Sequence, residues 1–130
     1  MNDCVFCKIV KGELPSYKTY EDEKFLAFLD INPVVDGHTL IVPKKHIPYM
    51  QDADNQTVAE IFKTAQKLEK VLKDAFKCKY VEIVVEGEQV AHFHVHLIPR
   101  MLNDGLPKFP TKTYKEGEAQ EIVKKITSAL

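Results

Sequence analysis

Apolar residues recur along this chain at two spacings, and the spacing separates helices from strands. Val58, Ile61, Phe62, Ala65, Leu68, Leu72, Ala75 and Phe76 fall mostly three and four apart, the repeat that lines one face of a helix. They predict a long helix over about 56–78, with Asp54 placed to cap its start. Val5, Phe6 and Ile9 predict a short helix capped by Asp3, running through Lys11 and ended by Gly12. Ile122, Val123 and Ile126 predict a third amphipathic helix near the C-terminus. Elsewhere the apolar runs are short. Residues 16–20 and 24–29 read as strands joined by the acidic turn Glu21-Asp22-Glu23. Residues 38–42 form a strand closed by Pro43, after a loop over 30–37 that Pro33 and Gly37 interrupt. Two more strands are expected at 80–85 and about 90–98, the latter stopped at Pro99. Residues 101–115 hold Gly105, Pro107 and Pro110 and read as irregular. The order is helix, three strands, helix, two strands, helix. Strands joined by short turns argue for an antiparallel sheet of about five strands with helices packed on one side, an α+β fold.

A chain of 130 residues suits a single domain over 1–130 with one core. Hydrophobic residues make up 45% and charged residues 28%, the balance of a soluble globular protein. The formal net charge is -1, from 18 basic and 19 acidic residues. Bulk charge therefore gives no reason to expect a nucleic-acid or membrane partner, although a small anionic ligand in a local basic pocket stays open. No apolar run reaches the length of a membrane span. The stretch Met1-Asn2-Asp3-Cys4 has no basic region leading into an apolar one, so no secretory leader is read and the cytoplasm is expected. Three cysteines do not make a disulfide framework. Cys4 and Cys7 read better as a metal pair, with Cys78 left over.

The most informative segment is His92-Phe93-His94-Val95-His96. Alternate residues of a strand face opposite sides, so the three histidines share one face and Phe93, Val95 and Leu97 share the other. That apolar face suits packing on the long helix. A single strand histidine is usually a solvated or satisfied core residue. Here three of the five histidines in the chain stand at alternate positions, which points to a built site. Imidazoles about 6.5–7 Å apart along a strand can bind a metal, act as nucleophiles or move protons. A metal site made of all three is the competing reading.

The run resembles the signature of the histidine-triad (HIT) family, in which three histidines alternate with apolar residues. The resemblance extends over Cys4-Val5-Phe6-Cys7-Lys8-Ile9, Phe25-Leu26-Ala27-Phe28-Leu29-Asp30-Ile31, residues 37–46 from Gly37-His38-Thr39-Leu40 to His46, and Leu97-Ile98-Pro99-Arg100. It covers about residues 3–100 and implies a HIT-like fold. It also implies hydrolysis or transfer at the α-phosphate of a nucleotide through a nucleotidyl-histidine intermediate, with a phosphoramidate or dinucleoside polyphosphate as substrate. His94 would be the nucleophile. His96 would contact the non-bridging phosphate oxygens and help protonate the leaving group, and His38 would support the row. Val5, Phe6, Ile9 and Phe28 match residues that sandwich the base, and Asp30, with Ile31 beside it, matches a ribose-binding carboxylate. Those apolar residues could equally be ordinary core, and Asp30 a turn residue. A homodimer through the long helix and an adjoining strand is also implied. Two other functions compete with the enzyme: a nucleotide-binding regulatory module with weak turnover, and a zinc-binding protein whose triad serves only metal.

Zinc-bearing relatives hold their metal through a Cys-x-x-Cys, a distant histidine and the first triad histidine. The resemblance therefore implies a structural zinc on Cys4, Cys7, His46 and His92. A redox role for Cys4 and Cys7 is disfavoured because no strand precedes them. The chain departs from the family before the triad, where many members carry Asn-x-Gly…Gly-Gln. Here the stretch is Glu86-Gly87-Glu88-Gln89-Val90-Ala91. Gln89 is expected to substitute as the phosphate-facing donor. Two carboxylates beside an anionic site are costly unless they face away, so the phosphate contacts and the usual substrate range stay open here.

Overall fold

The computed structural model describes residues 3–130. Met1 and Asn2, half of the stretch read for a leader, lie outside the described residues. The elements are α1 (Val5–Val10), β1 (Lys18–Glu21), β2 (Phe25–Leu29), β3 (Thr39–Pro43), a 3-10 turn at Met50–Asp52, α2 (Asn55–Phe76), β4 (Tyr80–Val84), β5 (Val95–Arg100) and α3 (Glu118–Thr127). The strands form one antiparallel sheet in the order β1-β2-β3-β5-β4. The α+β architecture expected from the sequence is the one observed.

The apolar stripe of α2 lies on one face of this sheet. Ile61, Ala65, Leu68 and Leu72 pack with Phe25, Ala27, Ile41, Val81, Phe93, Val95 and Leu97. Asp54 caps the helix, its side chain accepting from the Thr57 N–H at 2.7 Å. The opposite face is covered as well, which differs from the expectation of helices on one side only. Phe6 of α1, with Ile9 and Val10 beside it, packs on Leu26, Phe28, Leu40 and Val42. This explains why β3 is buried at every position. It is sandwiched, and its sequence is a continuous apolar run rather than an alternating one.

The cap of α1 is also different. Cys4, not Asp3, is the N-cap, and its sulfur accepts from the Cys7 N–H at 3.4 Å. The last strand begins at Val95 rather than about residue 90, and runs through Pro99 to Arg100. Two local causes explain the shift. Before Val95 the chain leaves β3, and the Phe93 N–H donates instead to the Ile47 carbonyl at 2.6 Å. Beyond Leu97 the ladder to β3 has ended, while Pro99 still pairs with Val81 of β4. A proline is tolerated where one flank needs no donor. α3 is amphipathic as expected, but none of its residues is buried.

Candidate functional site

The site lies on the sheet face opposite α2. Only His96 of the triad is inside β5, yet the alternation predicted for 92–97 persists across the irregular start. Phe93 and Val95 enter the core under α2, while the rings of His92 and His94 both meet the edge of Phe6 at 5.8 and 5.1 Å. His94 and His96 stack edge to face at 5.0 Å, and His38 joins His96 at 5.1 Å.

Hydrogen bonds fix the state of each ring. The Val34 N–H donates to His38 Nδ1 at 3.0 Å, so the His38 proton sits on Nε2. His38 Nε2–H then donates to His96 Nδ1 at 2.9 Å, leaving the His96 proton on Nε2. That Nε2 is buried with no partner among the described residues. Burial pushes the His96 imidazole down to about 4, reinforced by the neighbouring His94 and His38. His38 is lowered too, by burial, against the pull of Asp30. Two neutral rings thus form a relay that ends in an unused N–H donor. His38 is set by Gly37, whose φ is +90; a Cβ there would fall 2.5 Å from the Phe76 ring.

His94 is oriented from the other side. Its Nδ1–H donates to the His92 carbonyl at 2.7 Å, so Nε2 is the nitrogen turned outward. Nε2 meets Glu86 Oε1 at 3.2 Å. Glu86 thus does not face away from the site: its carboxylate is aimed at the triad. Oε2 accepts from the Glu88 N–H at 2.9 Å, and Gly87 packs so closely on Tyr49 that a Cβ would lie 3.0 Å from the ring. Burial raises the Glu86 carboxyl, but the Glu88 backbone N–H and the His94 imidazole outweigh it and hold it below the ordinary glutamate value. Sequence reasoning missed this contact.

Two cavities meet at the row. One, of about 560 Å³, is lined by Val5, Phe6, Ile9, Phe28, Asp30, Ile31 and Gln89 together with His94 and His96. Every residue expected to bind the nucleoside is thus brought to one cavity of ligand size. The other, of about 610 Å³, runs from His38, His96 and Glu86 towards Arg100 and Phe109. Arg100 is held by Glu82 and by Asp104, at 2.6 and 2.9 Å from the latter.

Cys4, Cys7, His46 and His92 converge as a separate group, with ligand atoms all within 4.8 Å of one another. Cys7 Sγ lies 3.2 Å from His46 Nδ1 and 3.5 Å from His92 Nδ1, and Cys4 Sγ lies 3.4 Å from His92 Nδ1. A tetrahedron with bonds of about 2.0–2.3 Å has edges of roughly 3.3–3.8 Å. His92 Nε2–H donates to the Pro43 carbonyl at 2.8 Å, which leaves Nδ1 as a free lone pair aimed at the sulfurs. Burial raises the Cys7 thiol, and the adjacent Cys4 raises it further. The residues fit a closed zinc site.

The model of the HIT domain matches residues 11–102. This chain belongs to the HIT family. An uncharacterized HIT-like protein of Borreliella burgdorferi is 44% identical over 112 residues, 81% of each chain. Adenosine 5'-monophosphoramidase HNT1 of Saccharomyces cerevisiae is 38% identical over 75% of this chain and 62% of its own length. Among solved HIT-fold structures, SMU.412c from Streptococcus mutans UA159 superposes with a TM-score of 0.88, at 36% identity over 99% of this chain and 86% of its own. A Zn-bound histidine triad family protein from Mycobacterium smegmatis superposes at 0.78, with 31% identity over 99% of each. No helix among the described residues is long and apolar enough to cross a membrane.

Proposed function

We propose that this HIT protein hydrolyses or transfers a nucleotide at its α-phosphate, with His94 as the nucleophile. The observation that carries the reading is the orientation of His94. Its Nδ1–H is engaged by the His92 carbonyl, and its ring lines the first cavity, which shares Asp30, Asn32, Gln89 and His96 with the second. The nucleoside occupies the cavity of Val5, Phe6, Ile9 and Phe28, with Asp30 and Ile31 at the ribose and Gln89 at the phosphate. The leaving group occupies the other cavity. A phosphoramidase among the relatives supports this substrate class.

In the first step, Nε2 forms a bond to the α-phosphorus as the bond to the leaving atom breaks. The electron pair departs with that atom, which takes a proton from solvent water. The cationic nucleotidyl-imidazole is stabilised by the His92 carbonyl on Nδ1–H. In the second step, water attacks the same phosphorus, the nucleoside monophosphate leaves, and the water proton returns to solvent as the Nε2 lone pair is restored. His96 donates its partnerless Nε2–H to a non-bridging oxygen. What favours this task over protonating the leaving group is its neutrality near pH 7. Zinc on Cys4, Cys7, His46 and His92 would serve structure: it fixes His92, whose carbonyl holds the nucleophile. A second copy of the chain is the proposed partner.

Incubation with adenosine 5'-phosphoramidate tests the reading. An adenylyl adduct on His94, found by intact mass and fragmentation and followed by AMP release, is expected. Full hydrolysis by His94→Ala would remove His94 as nucleophile.

A further inference from the structure

Resting on the zinc and nucleoside readings above, we infer that Cys4 and Cys7 are an oxidative modification site. Hydrogen peroxide closes them into a disulfide, frees the metal they hold and loosens the nucleoside cavity. Cys4 is the N-cap of α1 and Cys7 its third residue, and the Cys7 N–H donates to Cys4 Sγ at 3.4 Å. The two sulfurs lie within 4.8 Å of each other. Cys4 stands at the extended entry to the helix, with φ -76 and ψ 115, so it can swing towards Cys7 without unwinding a helical turn. Cys4 is half-buried and Cys7 buried, which makes Cys4 the sulfur an oxidant meets first and Cys7 the one that resolves it. Cys78 is buried in the core layer shared with α2, on the other face of the sheet, and does not compete. Among the described residues no strand leads into α1, so the pair is a sensor inside a metal group rather than a thioredoxin-like exchange site.

The chemistry balances on the two sulfurs. A thiol that ligates a metal is already a thiolate. Cys4 Sγ attacks one oxygen of the peroxide, the O–O bond breaks, and a sulfenic acid and a hydroxide form. Cys7 Sγ then attacks the Cys4 sulfur, the S–O bond breaks, and a second hydroxide leaves. The sulfurs give up two electrons, the peroxide takes both, and solvent protons convert the hydroxides to water. A dithiol reverses the change by returning two electrons. The disulfide offers no thiolate, so only His46 and His92 remain, too few to close a tetrahedral site. The effect reaches the nucleoside because α1 serves both sites. The same short helix carries Val5, Phe6 and Ile9, which line the nucleoside cavity. Phe6 also meets the ring edges of His92 and His94. The new S–S bond ties α1 only to its own cap, whereas the metal ties it to His46 and His92. Six residues hold no helix by propensity. With that tie cut, α1 is docked for only a fraction of the time, and apparent nucleotide affinity falls by that fraction.

The test treats zinc-loaded protein with hydrogen peroxide and follows metal, mass and AMP binding. A chromogenic chelator should record release of about one zinc per chain. Intact mass should fall by two hydrogens, and peptide mapping should place the disulfide between Cys4 and Cys7. Equilibrium binding of AMP should weaken by about tenfold or more, and dithiothreitol with added zinc should restore it. Stripping the metal with a chelator, without oxidation, should weaken AMP binding to a similar extent. Cys78→Ser should respond as the unsubstituted protein does, and Cys4→Ser should form no disulfide. Zinc retained after peroxide, a disulfide that includes Cys78, or AMP affinity unchanged after zinc release would overturn the inference. None of these results touches the nucleophile assignment, which the adduct on His94 tests separately. If the reduced protein takes up no zinc, or binds no AMP, the zinc or the nucleoside reading falls, and this inference with it.

Discussion

At the scale of single residues, the site separates the histidines by the proton each one carries. His94 presents a bare-edge nitrogen because its other nitrogen is engaged, whereas His96 presents an N–H because His38 fills its other side. Replacing His94 by Ala should lower kcat by more than about a thousandfold while leaving a cooperative fold, as steady-state kinetics and a melting curve will show. The depressed imidazoles also set an acid limit. His96 stays neutral in the folded chain until about pH 4, whereas the unfolded chain takes up that proton near pH 6.5. Between these values the unfolded state binds more protons, so stability falls as pH drops from about 6.5 towards 4, and His38 acts in the same direction. Denaturant midpoints measured across that window should flatten in His96→Asn; an unchanged slope would show that His96 is not held neutral. The alternation of the triad was legible from residue types alone. The inward turn of Glu86 was not, because it depends on Tyr49 and Gly87 meeting from segments far apart in sequence.

At the scale of elements, the periodic stretches were the most legible part of the chain. The α2 stripe and its Asp54 cap followed from spacing. Asp54→Ala should cost about 1 kcal/mol in denaturant unfolding, the usual loss of an N-cap. Strand ends were less legible, since Pro99 and the residues before Val95 obey the reach of β3 rather than their own propensity. The second apolar layer under α1 was hidden for another reason. Six residues are too few to hold a helix by propensity, and this one depends on Phe6 and on the convergence of Cys4, Cys7, His46 and His92. Protein prepared without chelator should therefore contain about one zinc per chain by elemental analysis. Cys7→Ser should lose the metal, melt at a lower temperature and expose α1 to amide exchange, with α2 still protected. Less than about 0.2 zinc per chain in the unsubstituted protein would remove the zinc assignment.

At the scale of the whole molecule, the question is what covers the surface that the fold leaves apolar. β4 is an edge strand, and an unguarded edge offers a row of backbone donors and acceptors. Ile83 on that strand pairs with Leu97, which faces α2, so Ile83 lies on the helix side of the sheet and is 40% exposed. Val71 and Phe76 of α2 are exposed as well. These exposed apolar residues belong to the helix and to the helix side of the edge strand, away from the histidine row. A second copy related by a two-fold axis would pair the β4 edges antiparallel and bury these residues while both clefts stay open. Light scattering after size exclusion should therefore give about twice the 14.9 kDa of one chain. Ile83→Lys places a charge in the middle of that face without disturbing the core, and should yield monomers whose melting temperature depends less on protein concentration. A monomeric mass for the unsubstituted chain at tens of micromolar would overturn the arrangement. A dimer insensitive to Ile83→Lys would place the interface elsewhere, with the exposed face of α3 the next surface to probe.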